Sequence, residues 1–356
     1  MLTAITKAMT AGFHFGDLAM LHQLGYIRVD FDMQFDFNHK IAQGSFARVH
    51  KVQNKRGDVI EEIIAKVVHS DVTGDKVAFE ASYLAAAQSH PNIVKLMALS
   101  PTIQGWALLL ESCCGGDLQQ FVSAHGHLCE QVGLNIAGKC IFSALGHIHT
   151  LGILHRDMKP ENLLIDNATD AMVPSRIVLT DFGIACHVAE HEKMSVPCGS
   201  PGCVAPEVMI NGRFQSTQSD IFGGAVALYF GLGGIMPFRC PDVRETLRQN
   251  MKANVTFDAD SFEGISTETK ATLTLLLHRR PRIRPTAVQA ASLLSSRVEE
   301  LSAMHGTGTV LAARLFPVAP QMPRLARRRL RGNFGLRGVA KVATEASPQA
   351  PETSLA

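Results

Sequence analysis

The chain has almost no net charge. Its 34 basic residues are met by 32 acidic ones, a balance of +2 at pH 7, so no global field points to nucleic acid or a lipid surface. It has no C-x-x-C pair and no Cys/His cluster at zinc spacing, although eight cysteines are present (Cys113, Cys114, Cys129, Cys140, Cys186, Cys198, Cys203 and Cys240); a zinc site is therefore not expected. The first residues lack the basic start and solid apolar run of a signal peptide. Reduced thiols and an intracellular, cytoplasmic location are the expectation. No run is long enough to span a membrane. The best candidate, residues 221–236, holds sixteen uncharged residues, five of them glycine, where a span needs about 20. A helix buried in a protein core is the better reading. No internal repeat is visible.

What the chain does have is apolar content, 46% of 356 residues, enough for a sizeable core and too much for a disordered protein. Residues 1–34 carry no motif; residues 1–24 read equally as a helix with Leu18, Met20, Leu21 and Leu24 near one face, as a packing extension, or as a weak targeting segment, though Asp17 and the scarcity of Arg argue against a transit peptide. From residue 35 strand patterns follow one another: 35–41, 48–52, 62–68, 93–99 and 106–110, with a hairpin turn at 54–58 and one helix at 76–89 that stops before Pro91. Beyond Gly115-Gly116 the pattern is mostly helical, with loops at 152–162 and 181–206. Strands first and helices afterwards predict an α+β arrangement of two lobes. Order fades near Ser296. The tail is rich in Pro, Arg, Ala and Ser and reads as mostly disordered.

Chemistry-bearing residues concentrate in a few blocks, in one order along the chain. Ile41-Ala42-Gln43-Gly44-Ser45-Phe46-Ala47-Arg48-Val49 lies between two strands and resembles the kinase Gly-rich loop, with only Gly44 kept and Ala42 and Ala47 at the outer glycine positions. Lys66 sits inside an apolar strand and needs a partner, because an unpaired buried ammonium is costly. Glu80, in the predicted helix, is the natural candidate. His155-Arg156-Asp157-Met158-Lys159-Pro160-Glu161-Asn162 resembles the kinase catalytic loop, and Asp181-Phe182-Gly183 follows nineteen residues after Asn162 behind an apolar strand. Cys198 to Glu207 looks like the end of an activation segment, closing in Ala205-Pro206-Glu207. The order of these blocks matches the demands of phosphoryl transfer from ATP: phosphates need a cover of backbone N–H groups and a cation, magnesium needs oxygen ligands, and the acceptor hydroxyl needs an oriented carboxylate.

On these blocks the chain resembles the Ser/Thr protein kinases over residues 35–296, and its activation segment is most similar to the calmodulin-dependent and AMP-activated group. The resemblance implies the two-lobed kinase fold, with a small β-rich lobe at 35–110, a larger helical lobe at 115–296 and a basic extension at 297–356. It implies ATP and Mg2+ as cofactors and a protein Ser/Thr hydroxyl as acceptor. Asp157 would orient that hydroxyl and take its proton, and Lys159, which marks the Ser/Thr subclass, would neutralise the migrating phosphate. Asn162 and Asp181 would hold magnesium. Lys66, paired with Glu80, would bind the phosphates under the loop 41–46.

By the same resemblance Leu110 is the gatekeeper, the backbones of Glu111 and Cys113 bond adenine, Asp117 bonds the ribose, and Val49, Ala65 and Leu164 sandwich the base. Leu84, Leu96, His155 and Phe182 form the stacked spine of the active state. Asp220 would tie the catalytic loop to the central helix. Ser200 takes the place of the Thr or Ser that contacts the catalytic pair, and Glu207 would pair with Arg284. Arg156 would receive a phosphate from the activation loop; the usual acceptor position holds Val196, and Ser195 beside it is the candidate for an upstream activating kinase. Phe222, Cys203 and Arg280 depart from the family's usual residues and mark a divergent member. The rival reading is a pseudokinase scaffold, which rests on the two lost glycines. The run Arg327 to Arg331 reads as a solvated tail, with nuclear import, RNA or calmodulin contact as the alternatives; nucleic acid is not an expected partner.

Overall fold

Side-chain alternation with period two organises the first lobe, and the computed structural model describes residues 16, 18–28, 35–43, 47–54, 59–69, 74–102, 105–166, 174, 176–193, 197–211 and 215–305. Five antiparallel strands form one sheet: β1 (Phe35–Gln43), β2 (Ala47–Asn54), β3 (Val59–His69), β4 (Leu96–Thr102) and β5 (Gly105–Glu111), in the order β1-β2-β3-β5-β4. A short helix, α1 (Leu18–Gln23), precedes them, and α2 (Gly74–Ala87) lies between β3 and β4. In β3 the even-numbered residues Ile64, Lys66 and Val68 share one face, and the pairs Ile64↔Leu110 and Lys66↔Leu108 extend that face onto β5. Val68, Leu108 and Leu110 pack there with Leu84 and Tyr83 of α2. The odd-numbered Ala65 and Val67 turn the other way and join Val52, Ala98, Ala107 and Leu109 in a separate small cluster.

This corrects one expectation. Ala65 does not line the face that carries Lys66. Adjacent strand residues point to opposite sides, so Ile64, which packs against the main core, occupies the position assigned to Ala65. The strand predicted at 93–99 also begins later, at Leu96; Ile93 makes only an isolated bridge to Leu179.

The second lobe is helical: α3 (Leu118–His125), α4 (Glu130–Ile136) running through a π turn (Ala137–Phe142) into α5 (Ser143–Thr150), α6 (Pro206–Asn211), α7 (Thr217–Gly233), α8 (Val243–Lys252), α9 (Thr267–Leu276) and α10 (Ala287–His305). Two small two-stranded antiparallel sheets sit on it, β6 (Ile153–Leu154) with β9 (Cys186–His187), and β7 (Leu163–Asp166) with β8 (Arg176–Leu179). The apolar run expected as a buried helix at 221–236 is helical and buried only as far as Gly233, within the central helix α7; Ile235 beyond it is exposed. The helix starts earlier than its apolar run because Ser216 and Ser219 make a reciprocal cap, and it stops at Gly233 because Gly234 is left-handed. No helix among the described residues is long and apolar enough to cross a membrane. The last helix outruns Ser296 to His305: Leu301 is buried, and Gln131 of α4 donates to Ser302 Oγ at 2.8 Å. All eight cysteines are free.

Candidate active site

The loop between β6 and β7 is held from below by one buried carboxylate. Asp220, in the first turn of α7, accepts from the backbone N–H groups of His155 (3.0 Å) and Arg156 (2.9 Å) and lies 2.9 Å from His149 Nε2. Burial works to raise the Asp220 pKa, but these partners outweigh it and hold the group below the ordinary carboxylate value. Three residues along α7, Gly223 has no side chain for a steric reason: a Cβ there would lie 2.6 Å from both Cβ and the carbonyl oxygen of Met158. The helix therefore lets the loop settle directly on its backbone. Arg156 adopts φ 72, an uncommon value for a non-glycine residue, of the kind found at functional loops.

That loop presents Asp157 inside a tight set of partners. Lys159 Nζ donates to Asp157 Oδ2 at 2.6 Å and to Ser200 Oγ at 3.0 Å, and Ser200 Oγ donates to Asp157 Oδ1 at 2.8 Å. Asn162 Nδ2 donates to the Asp157 carbonyl at 2.8 Å and to Oδ2 at 3.2 Å. Burial alone would lower the Lys159 pKa, but Asp157 beside it raises it, so the amine stays charged. Asn162 closes a single 3-10 turn begun by Pro160, and its carbonyl accepts from Thr180 N at 3.0 Å, which joins this loop to the residue before Asp181.

The second cluster bridges the lobes. Lys66 Nζ donates to Glu80 Oε1 at 2.7 Å and to Asp181 Oδ1 at 2.8 Å. Burial opposes the Lys66 charge, yet Asp181 and Glu80 raise its pKa well above the usual lysine value. In return the Lys66 ammonium lowers the Asp181 pKa to about 2. Burial pushes Glu80 the other way, upward. Asp181 has φ 62 and its side chain is 43% exposed, so the carboxylate still faces the cleft. Leu84, Leu96, His155 and Phe182 are all buried, and the His155 ring meets Phe182 edge-on at 5.0 Å between centroids.

Around the cleft, Val49 lies opposite Lys66 on β2 and shares its face. Leu164 is partly exposed on β7, and Leu110 is buried on β5. Asp117 caps α3, its Oδ1 accepting from Gln120 N at 2.8 Å. Ile41, Ala42 and Gln43 end β1, exposed; Gly44, Ser45 and Phe46 lie outside the described residues, as do Ser195 and Val196. The Glu111 amide is taken by the Lys95 carbonyl at 3.0 Å, and its carboxylate is gripped by Arg176. Cys113 lies two residues beyond the end of β5 and is partly buried.

The donor set fits a hard divalent cation and a nucleotide. Asp181 offers a carboxylate, and Asn162, whose Nδ2 is committed to Asp157, offers its amide oxygen; both are the oxygen ligands that Mg2+ prefers. Lys66 supplies a fixed positive charge between them and α2.

Behind the loop the segment after Asp181 is anchored at several points. Glu207 and Arg284 form a bidentate pair at 2.7 and 2.9 Å, nearly without solvent contact, and the guanidinium stacks over Phe222 at 4.8 Å. Asn250 of α8, fully buried, accepts from Gly202 N at 2.9 Å and donates to the Val204 carbonyl at 3.0 Å. Gln215 binds Arg156 Nε through its oxygen and the Cys198 carbonyl through its nitrogen. Sequence patterns alone do not single out Asn250, Gln215, Arg176 or Ile64. Only Ile64 carries a usable signal, its parity with Lys66.

The protein kinase domain family matches residues 35–294 of the chain. The chain is 32% identical over 270 residues to the Probable serine/threonine-protein kinase 2 of Plasmodium falciparum, covering 76% of this chain and 51% of that protein. It is 31% identical over 240 residues to Myosin light chain kinase A of Dictyostelium discoideum, covering 66% and 79% respectively. With the rat Calcium/calmodulin-dependent protein kinase type 1B it shares 29% over 263 residues, 73% of this chain and 74% of the relative. The chain thus spans about half the length of the Plasmodium protein and three quarters of the other two.

Proposed function

The chain belongs to the protein kinase family, and on that footing we propose that it transfers the γ-phosphoryl group of Mg-ATP to a Ser or Thr hydroxyl of a protein substrate. The observation that carries the reading is the set of contacts on Asp157. Its carboxylate is aligned by Lys159, Ser200 and Asn162, and the bond from Thr180 N to the Asn162 carbonyl joins this loop to the Lys66–Glu80–Asp181 cluster.

Asp157 orients the incoming hydroxyl and accepts its proton. Lys159, charged and within reach of Ser200, balances the charge that migrates with the phosphoryl group. Lys66 binds the nucleotide phosphates, and Glu80 holds its ammonium in position. Asn162 and Asp181 would hold magnesium, which would neutralise phosphate charge when bound. Ile64, Val49 and Leu164 would hold the base, the backbones of Glu111 and Cys113 would bond it, and Asp117 would bond the ribose. By the family resemblance the loop 41–46 would cover the phosphates. Ser195 remains the proposed target of an upstream kinase. Eight free cysteines support a reducing, intracellular compartment.

The test is transfer from labelled Mg-ATP to a generic Ser/Thr substrate, comparing the unaltered chain with Asp157→Asn. Label on the substrate from the first and a loss of roughly 10²–10⁴-fold in the second is the expected result, the range that general acid–base groups contribute. Equal transfer by both would remove Asp157 from the proposed role. Nucleotide binding without transfer by either would turn the reading toward a scaffold.

A further inference from the structure

Residues 16–28 precede the stretch that matches the kinase domain, yet those described are built into the small lobe at two places. The first is α2. Gly16 N–H donates to Ser82 Oγ at 3.1 Å, and that buried hydroxyl donates in turn to the Ala78 carbonyl at 2.7 Å. Gly16 has φ +88, and a Cβ there would stand 2.9 Å from the Phe79 ring, so the close approach to α2 requires glycine. Two residues later α1 begins and lays Met20 and Leu21, both fully buried, into the core that holds Tyr83 and Leu84. The second place is the sheet. After α1 the chain turns through a Schellman motif, with Gly25 N bonding His22 O and Tyr26 N bonding Leu21 O, each at 2.9 Å. It then runs along β4, the outer strand of the sheet. Leu99 N donates to Tyr26 O at 2.8 Å, Arg28 N donates to Leu99 O at 2.9 Å, and Ser100 Oγ donates to Arg28 O at 2.6 Å.

One short segment therefore spans the helix that carries Glu80 and the sheet that carries Lys66. The position of α2 against that sheet decides whether Lys66 and Glu80 can meet at 2.7 Å. A further tie runs from α2 to β9, Tyr83 OH accepting from His187 N at 3.1 Å. We propose that residues 16–28 are an intramolecular brace that holds α2 where the Lys66–Glu80 pair closes. Met20, Leu21 and the Arg28 amide are its positioning groups. The inference rests on the kinase reading for its functional consequence, but the mechanical coupling stands apart from it.

Two disruptive full-length variants test the brace, with Leu21→Met as the conservative control. Met20→Ala/Leu21→Ala empties its apolar contact, and Arg28→Pro removes the amide that grips Leu99 while leaving every buried side chain in place. Both are compared with the unaltered chain by amide hydrogen exchange of residues 78–87 and by kcat and KM for Mg-ATP, at a temperature where circular dichroism shows the proteins folded. If the competent position of α2 falls to about a tenth of the population, the Mg-ATP KM rises about tenfold. Exchange in α2 quickens, kcat falls, and Leu21→Met is close to normal.

The proposal is overturned if Arg28→Pro, folded, exchanges α2 amides as slowly as the unaltered chain. It is overturned equally if the alanine variant loses thermal stability with KM and kcat unchanged, the result of simple packing. Should the unaltered chain transfer no phosphate, the kinase reading fails, and the exchange comparison alone decides whether the brace holds α2.

Discussion

Removing Arg284 should cost far more than one ion pair on the surface. Its side chain is 0% exposed and Glu207 is 8% exposed. The guanidinium fork occupies both carboxylate oxygens and also donates to the carbonyls of His278 (2.7 Å), Gln218 (2.9 Å) and Arg279 (3.3 Å). Arg284→Met leaves a buried carboxylate with Ser219 Oγ, at 2.9 Å, as its remaining side-chain donor among the described residues. Breaking a buried pair by deleting one partner costs about 3–5 kcal/mol. Spread over the 260 residues of the matched domain, 35–294, that predicts a fall in melting temperature of about 5–9 °C at the usual ~2.1 cal/mol/K of unfolding entropy per residue. Far-UV circular dichroism is the right probe, because the single tryptophan, Trp106, lies in β5 of the other lobe. Glu207→Leu combined with Arg284→Met should recover ~2 kcal/mol or more of the summed single losses, since no charge is then stranded. A single-variant loss below ~1 kcal/mol, or strict additivity in the cycle, would refute the view that the pair is desolvated and anchors the activation segment to α7.

Gly223→Ala forces a methyl to within 2.6 Å of Met158; it should cost about 1–3 kcal/mol by overpacking. Because Met158 adjoins Asp157, kcat should fall by up to ~10²-fold with little change in the Mg-ATP KM, as steady-state kinetics will show. Arg176 ties Glu111 in the connection between lobes (2.9 and 3.2 Å) to Asp166 (2.9 Å) and the Pro91 carbonyl (2.8 Å). Arg176→Met should cost ~1–2 kcal/mol and raise the Mg-ATP KM more than it lowers kcat; an unchanged KM would free the connection from this clamp. Burial lowers the His90 pKa from 6.5 to about 4, with help from His147 stacked on it. The unfolded chain takes up this proton below pH 6.5 and the folded site does not until about 4, so this contribution to stability is complete above 6.5 and drains away as pH falls to 4. Melting curves of His90→Asn should therefore decline less than those of the unaltered chain across that window, and equal slopes would rule His90 out.

Short-range chemistry is legible in the sequence. Asp157, Lys159 and Asn162 fall within one loop, so their spacing alone limits where they can point. Lys66 in an apolar strand demands an acid partner on physical grounds, and the helix holding Glu80 is marked by its periodicity and by Pro91. Family resemblance assigns Ala65 to the wrong face, although strand alternation contains the answer. Residues 1–34 carry no motif because the Gly16 to Ser82 and Tyr26 to Leu99 contacts join positions 66 and 73 apart, a separation at which no local pattern survives. Asn250 and Gln215 are silent for the same reason, since an amide on a helix or a loop looks like solvent-facing polarity until something buries it.

The sequence by itself determined which groups could do chemistry, because residue type and short spacing fix charge, donor capacity and backbone freedom. The tertiary structure alone decided which of those groups meet. The contacts of Lys66 with Asp181 and of Arg284 with Glu207 close across 115 and 77 residues, and such closure depends on how strands, α2 and α7 pack, an energy summed over the whole core rather than carried by any one segment.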